Sequence, residues 1–150
     1  MASGLVEAPA EYTGPLPAVF LAGGIQQCED WQADAARAFE DLEIVVLNPR
    51  RAVFPIHDPD AEQQQVAWEN RHLHRADLVL FWFPASSSHQ PIALYELGMM
   101  AAGTTLLVVG ADPGYLRRTN VVCQLQHARP GVTVYDTLAD TVTAARKALA

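Results

Sequence analysis

The chain has 150 residues and a mass of 16.3 kDa, enough for one sizeable core and too little for a two-domain enzyme. Half of it is hydrophobic and 18% is charged, a globular composition rather than that of a disordered chain. With 10 Lys and Arg against 17 Asp and Glu, the net charge of −7 and pI near 5.0 argue against affinity for polymeric DNA or RNA or for anionic lipid.

Cys28 and Cys123 form no CxxC pair and have no His at ligand spacing, so neither a disulfide framework nor a zinc site is expected. The N-terminus shows no basic start followed by an apolar run, and the apolar runs fall far short of the ~20 residues a membrane span requires. These features suggest a soluble protein of the reducing cytoplasm.

Met1 to Pro17 carries Pro9, Pro15 and Pro17 without an apolar period, and reads as a mostly disordered lead-in to a single domain over residues 18–150. The first aliphatic run, Ala18 to Ala22, ends at Gly23-Gly24, and a helix with Trp31, Ala35, Ala38, Phe39 and Leu42 on one face follows. A second run, Ile44 to Leu47, stops at Asn48-Pro49. Pro55 and Pro59 then break regular structure, and Asp58 or Asp60 is placed to cap a helix running to His74. The third run, Asp77 to Phe83, has no polar residue from Leu78 on, as expected of a central parallel strand covered on both faces. Beyond Pro84 come a helix over 90–103, a strand over 104–109, a helix over 119–128, a strand over 132–135 and a closing helix over 137–149. This rhythm predicts an α/β fold, a five-stranded doubly wound parallel sheet in a flavodoxin-like three-layer α/β/α sandwich. Ligands in such sheets sit beyond the carboxyl ends of the strands where the strand order reverses, which places Gly23-Gly24 and the Pro84 to Gln90 loop across one crevice.

Glu96 is the one charged residue in Pro91 to Gly103. On a helix it shares its face with Ile92, Ala93, Met99, Met100 and Gly103, an apolar stripe. A carboxylate there is either paired, with Arg50, Arg51 or Arg71 as available partners, or poised for chemistry, because burying it alone shifts its pKa.

Three segments together carry a family resemblance: Val19-Phe-Leu-Ala-Gly-Gly-Ile25; Trp68-Glu69 upstream of Ala76-Asp77-Leu-Val-Leu-Phe-Trp-Phe-Pro84; and Pro91-Ile-Ala-Leu-Tyr-Glu-Leu-Gly98. In this order, over about residues 18 to 126, they resemble the nucleoside 2-deoxyribosyltransferase superfamily, which includes nucleoside 5′-monophosphate N-glycosidases. The resemblance implies that Glu96 is the nucleophile that attacks the anomeric carbon, expels the base and forms a covalent glycosyl-enzyme, later resolved by a second base or by water. One ionised carboxylate suffices for this chemistry, without metal or cofactor. Glu69 falls where the family carries an acid, usually Asp, that protonates or holds the departing base, a role favoured by a raised pKa. A solvated helix-face glutamate is the plainer reading of Glu69.

The resemblance also implies substrate contacts. Gly23 and Gly24 let backbone approach a sugar or phosphate, or simply form a turn. Phe20 stands where family transferases often carry a tyrosine that touches the nucleophile. Gln90 stands where they carry Asp, or Ser in the monophosphate hydrolases. Asn48, Arg50 and Ser88 are further substrate-binding candidates, the last two toward a 5′-phosphate, although an exposed basic pair and a capping serine are equally simple explanations. Asn120 matches an asparagine that reaches the neighbouring subunit's sugar pocket, which implies a homodimer or higher oligomer; alone it reads as a helix N-cap. Asp77 begins its strand at the end away from the crevice and is expected to orient backbone. Trp82 and Phe83 are candidates for stacking on a base, with at most one touching ligand, and His89 for assisting proton transfer. The expected partners are a nucleoside or nucleotide and a free nucleobase. A non-catalytic nucleotide-binding module on the same fold is the competing class; a dinucleotide or flavin protein is disfavoured because no GxGxxG follows the first strand.

Overall fold

A strand with no polar residue on either face must be covered from both sides, and alternation of strands and helices supplies the cover. In the computed structural model, which describes residues 4–150, the chain runs β1 (Gly4–Glu7), β2 (Ala18–Gly23), α1 (Trp31–Arg37), β3 (Val45–Asn48), α2 (Ala61–Arg75), β4 (Leu78–Phe83), α3 (Pro91–Ala101), β5 (Leu106–Ala111), α4 (Arg118–Ala128), β6 (Val134–Tyr135) and α5 (Leu138–Leu149). Among the described residues the sheet has six strands in the order β1-β3-β2-β4-β5-β6, every pair parallel.

Side chains of a strand alternate between faces, and the core divides accordingly. Phe20, Ala22, Val79, Phe81 and Phe83 pack with Trp68 and Leu73 of α2, Ala93, Leu97 and Met100 of α3, and Val121 and Leu125 of α4. Val19, Leu21, Leu78, Leu80 and Trp82 pack on the other face with Trp31 and Ala35 of α1 and Val142 and Ala145 of α5. The result is a three-layer α/β fold. The strand order reverses between β2 and β4, where Gly23 and Gly24 end one strand and Pro84 to Gln90 follow the other.

The sheet has one strand more than the five expected, and it comes from the segment expected to lack regular structure. β1 pairs with β3 from Gly4 opposite Val45 to Glu7 opposite Asn48. The chain then crosses α2: Trp68 Nε1 donates to Ala10 O (2.7 Å), and the Tyr12 N–H donates to His72 Nε2 (3.1 Å). His72 therefore carries its proton on Nδ1, which lies 2.7 Å from Trp68 O. Four residues ahead of a proline-containing stretch carry no readable alternation, and the strand is defined by a partner some forty positions away. Met1 to Ser3 of the expected lead-in lie outside the described residues.

Other ends differ in detail. Asp77 does orient backbone: its Oδ2 accepts the Ala18 N–H at 2.8 Å and pairs with Arg75 at 3.1 Å. Asp60 occupies the N-cap position of α2 without a side-chain cap bond, while Asp58 Oδ1 accepts the Asp60 N–H instead. Asn120 is not an N-cap, since Arg117 precedes α4. Arg129 donates to the carbonyls of Met100, Ala101, Gly103 and Thr105, closing the C-terminal end of α3 with a cation that also complements the helix dipole.

Two glycines test this packing in opposite directions. A Cβ at Gly110 would lie 1.9 Å from Thr141 Oγ1 and 2.9 Å from Trp82 Cε3, whereas Gly98 has nothing within 4 Å. Chemical denaturation should show Gly110→Ala destabilising by about 1–3 kcal/mol and Gly98→Ala stabilising by about 0.5–1 kcal/mol.

Candidate active site

Parallel topology sends both α2 and α3 back from the crevice across the same face of the sheet, so their facing sides meet. Trp68 and Leu73 anchor α2, and Ala93, Leu97 and Met100 anchor α3. That anchoring directs Glu69 and Glu96 toward one another, and their carboxyl groups hydrogen-bond across the gap. None of the arginines available to Glu96 serves it. Arg71 pairs with Glu11, Arg51 lies over the Phe54 ring at 5.4 Å, and Arg50 is bound elsewhere.

A carboxyl–carboxyl contact holds only if a proton lies between the oxygens, because two like charges so close cannot both persist. Burial and then the neighbouring Glu69 charge and hydrogen bond push Glu96 up to about 8. Burial also raises Glu69, against the lowering effect of its hydrogen bonds with Gln65 and Glu96. The Gln65 amide bridges Pro49 O (2.7 Å) and Glu69 Oε2 (2.9 Å), tying the pair to the end of β3. Gln65 was missing from the sequence-derived set, although its spacing of four from Glu69 on one helix face is a readable signal. The arrangement supplies one neutral acid and one carboxylate, side by side.

The crevice loops meet above the strand ends. A Cβ at Gly23 would lie 2.0 Å from Trp82 O, and one at Gly24 would lie 2.5 Å from both Cys28 Sγ and Gln90 Oε1. Gly23 is thus required by its close approach to backbone, whereas a side chain at Gly24 would have to displace the ends of Cys28 and Gln90. The Cys28 thiol contacts Ser86 Oγ (3.6 Å), and Ser88 Oγ accepts the Gln90 N–H (3.0 Å). Gln90 is buried, holds φ 54° at the N-cap of α3 and donates from Nε2 to Pro84 O (2.8 Å). Its buried Oε1 has no hydrogen-bond partner among the described residues. A strained backbone and an unsatisfied acceptor at a strand-end crevice are features that accumulate where ligands bind.

Three expected substrate contacts, Phe20, Arg50 and Asn48, are engaged within the fold. Phe20 is fully buried, its ring 5.9 Å from that of Trp68, and presents no surface to a ligand, because its strand parity points it into the core. The Arg50 guanidinium donates to Cys28 O (2.9 Å), Glu29 O (2.8 Å) and Gln32 Oε1 (3.1 Å), so it pins the loop after β2 rather than standing free for a phosphate. Asn48 is buried and its Oδ1 accepts the Arg50 N–H (2.9 Å), shaping the turn after β3. Asn120 is exposed on α4 and lines a groove with Leu94, Leu97 and Gly98, on the flank of α3 away from α2. Trp82 and Phe83 both belong to the cores, Phe83 stacking on Tyr115 at 5.1 Å. His89 is exposed, and its Nδ1 accepts from Arg117 Nε at 3.1 Å. Among the described residues, no group of three or more His, Cys, Asp or Glu is placed to hold a metal ion, and no helix is long and apolar enough to cross a membrane.

The folded chain keeps a proton on Glu96 that the unfolded chain releases near 4.5. The folded pKa is raised, so the unfolded state binds fewer protons across this window and stability falls as pH rises from about 4.5 toward 8. Glu96→Gln removes that ionisation. At pH 8 the variant should be more stable than the parent by about 1 kcal/mol, seen as ~2–4 °C in Tm, and the gap should close at pH 4. Equal Tm differences at both pH values would contradict a shared, buried proton.

A model of the family described as nucleoside 2-deoxyribosyltransferase like matches residues 16–115, which include β2, β4, Glu69 and all of α3. No curated protein matches the chain. The match covers two thirds of the sequence, and the chain belongs to the nucleoside 2-deoxyribosyltransferase-like family.

Proposed function

We propose that the protein cleaves or transfers at the N-glycosidic bond of a nucleoside or its 5′-monophosphate, through a covalent intermediate on Glu96. The observation that carries this reading is the hydrogen-bonded pair of Glu69 and Glu96, which holds one proton and one charge. Both are needed at once, since displacement of a base requires a nucleophile on one side and an acid on the other.

In the first step the carboxylate of Glu96 forms a bond to the anomeric carbon as the carbon–nitrogen bond breaks. The departing electron pair goes to the base nitrogen, which takes the proton from Glu69. In the second step Glu69, now ionised, removes a proton from water or from the N–H of a second base, and that nucleophile displaces Glu96. Two inversions give net retention. The contact between the two carboxyls opens to admit the base, and burial of the site strengthens the electrostatic stabilisation of the oxocarbenium-like transition state. The unpartnered Gln90 Oε1 is an acceptor suited to a sugar hydroxyl.

The oligomer implied by the family belongs to the same proposal. Ile92 and Tyr95 stand 64% and 75% exposed on α3, apolar surface of the kind a second copy covers, and Asn120 reaches a sugar pocket only if that pocket belongs to another copy. A monomer by light scattering at working concentration would remove this element.

The test is incubation with deoxynucleosides, ribonucleosides and their 5′-monophosphates, with and without a second free base, following base release and exchange by chromatography. Glu96→Ala should abolish turnover. Glu69→Gln should lower it by about 10²–10⁴-fold, most for the bases that leave least readily. Normal turnover in Glu96→Ala would overturn the assignment. Ligand-induced thermal stabilisation without turnover would instead fit a binding module.

A further inference from the structure

The pair of carboxyls has two ways to hold one proton, and they are not equivalent. With the proton on Glu69 and Glu96 ionised, the site is ready to react. With the proton on Glu96, the nucleophile is masked and no acid stands beside the leaving base. The residue that distinguishes the two is Gln65.

Both hydrogens of the Gln65 amide are committed, one to Pro49 O at 2.7 Å and one to Glu69 Oε2 at 2.9 Å. Both partners are acceptors, so turning the amide over would set oxygen against oxygen. Its Oε1 consequently lies buried with no partner among the described residues. An orphaned acceptor is costly, and it persists here because the two donor contacts fix the orientation. An N–H donor binds a carboxylate more strongly than a neutral acid. Glu96 has no comparable donor, since its carboxyl bonds to Glu69. Arginines of the surrounding elements lie elsewhere: Arg71 of α2 pairs with Glu11, Arg50 holds the loop carbonyls of Cys28 and Glu29, and Arg51 lies over the Phe54 ring, while the His72 ring accepts the Tyr12 N–H.

We propose that Gln65 is a positioning residue that keeps the shared proton on Glu96 in the empty site, so that the nucleophile is uncovered only when a base lone pair claims that proton through Glu69. As the base lone pair enters, the proton crosses from a Glu96 oxygen to a Glu69 oxygen, Glu69 then donates it to the base nitrogen, and Glu96 is left with the electron pair that attacks the anomeric carbon. The proton leaves with the base, and its count balances throughout. This consequence rests on the proposed function, but the location of the proton in the empty protein does not.

Carboxyl carbon NMR of the protein labelled at glutamate, assigned with Glu69→Gln and Glu96→Gln, reads that location directly. In the parent near neutral pH, Glu96 should appear protonated and Glu69 ionised. Gln65→Met, of similar volume but without a donor, should reverse the two. The acid limb of its kcat/KM profile should move up by about one pH unit. A parent protein with its proton on Glu69 overturns the proposal, whether or not the variant folds. So does a folded Gln65→Met in which the proton has not moved and turnover falls equally at every pH. Absence of turnover on any nucleoside would fell the proposed function while leaving the NMR result standing.

Discussion

Two carboxyl groups brought together in a half-buried crevice cannot both be charged, and the fold forces them together. α2 and α3 are held to the same sheet face by Trp68, Leu73, Ala93, Leu97 and Met100. The N-terminal strap binds α2 through Trp68 and His72, and Arg129 closes the far end of α3. With both helices fixed, Glu69 and Glu96 face one another in the empty site, and the repulsion is relieved by retaining a proton. Native packing here maintains an unfavourable charge arrangement, as functional sites commonly require.

The crevice loops show a similar constraint in backbone form. Gly23 fits because Trp82 O leaves no space for a side chain, and Gly24 fits because Gln90 and Cys28 press on it. Gln90 itself sits at positive φ with a buried, unsatisfied oxygen. Each feature is costly alone, and they occur together where the strand order reverses, the place at which doubly wound sheets bind ligands.

Periodicity made much of this visible. The unbroken apolar run of β4 announced a central strand, the lone carboxylate on the apolar stripe of α3 marked Glu96, and the position of Asp77 indicated a backbone contact. What stayed hidden depends on long-range pairing. β1 exists because β3 offers it an edge, and Arg50 is recruited by carbonyls more than twenty positions earlier, which no local pattern announces. Phe20 shows the limit of matching positions by resemblance alone: strand parity turns it into the core against Trp68. Gln65 lies in a run of glutamines that reads as a solvated face, and the Pro49 carbonyl brought in by the fold, together with Glu69 one turn along the helix, shows why its amide is oriented.

The central claim is a bond between a sugar carbon and Glu96. Rapid acid quench of the protein with a turned-over nucleoside, or with a slow analogue bearing an electron-withdrawing group at the 2′ position, followed by intact-mass and peptide mass spectrometry, tests it directly. The account predicts a mass increase equal to the glycosyl group, mapped to the peptide containing Glu96 and absent in Glu96→Ala. Turnover with no adduct at any quench time, or an adduct on another residue, would contradict it.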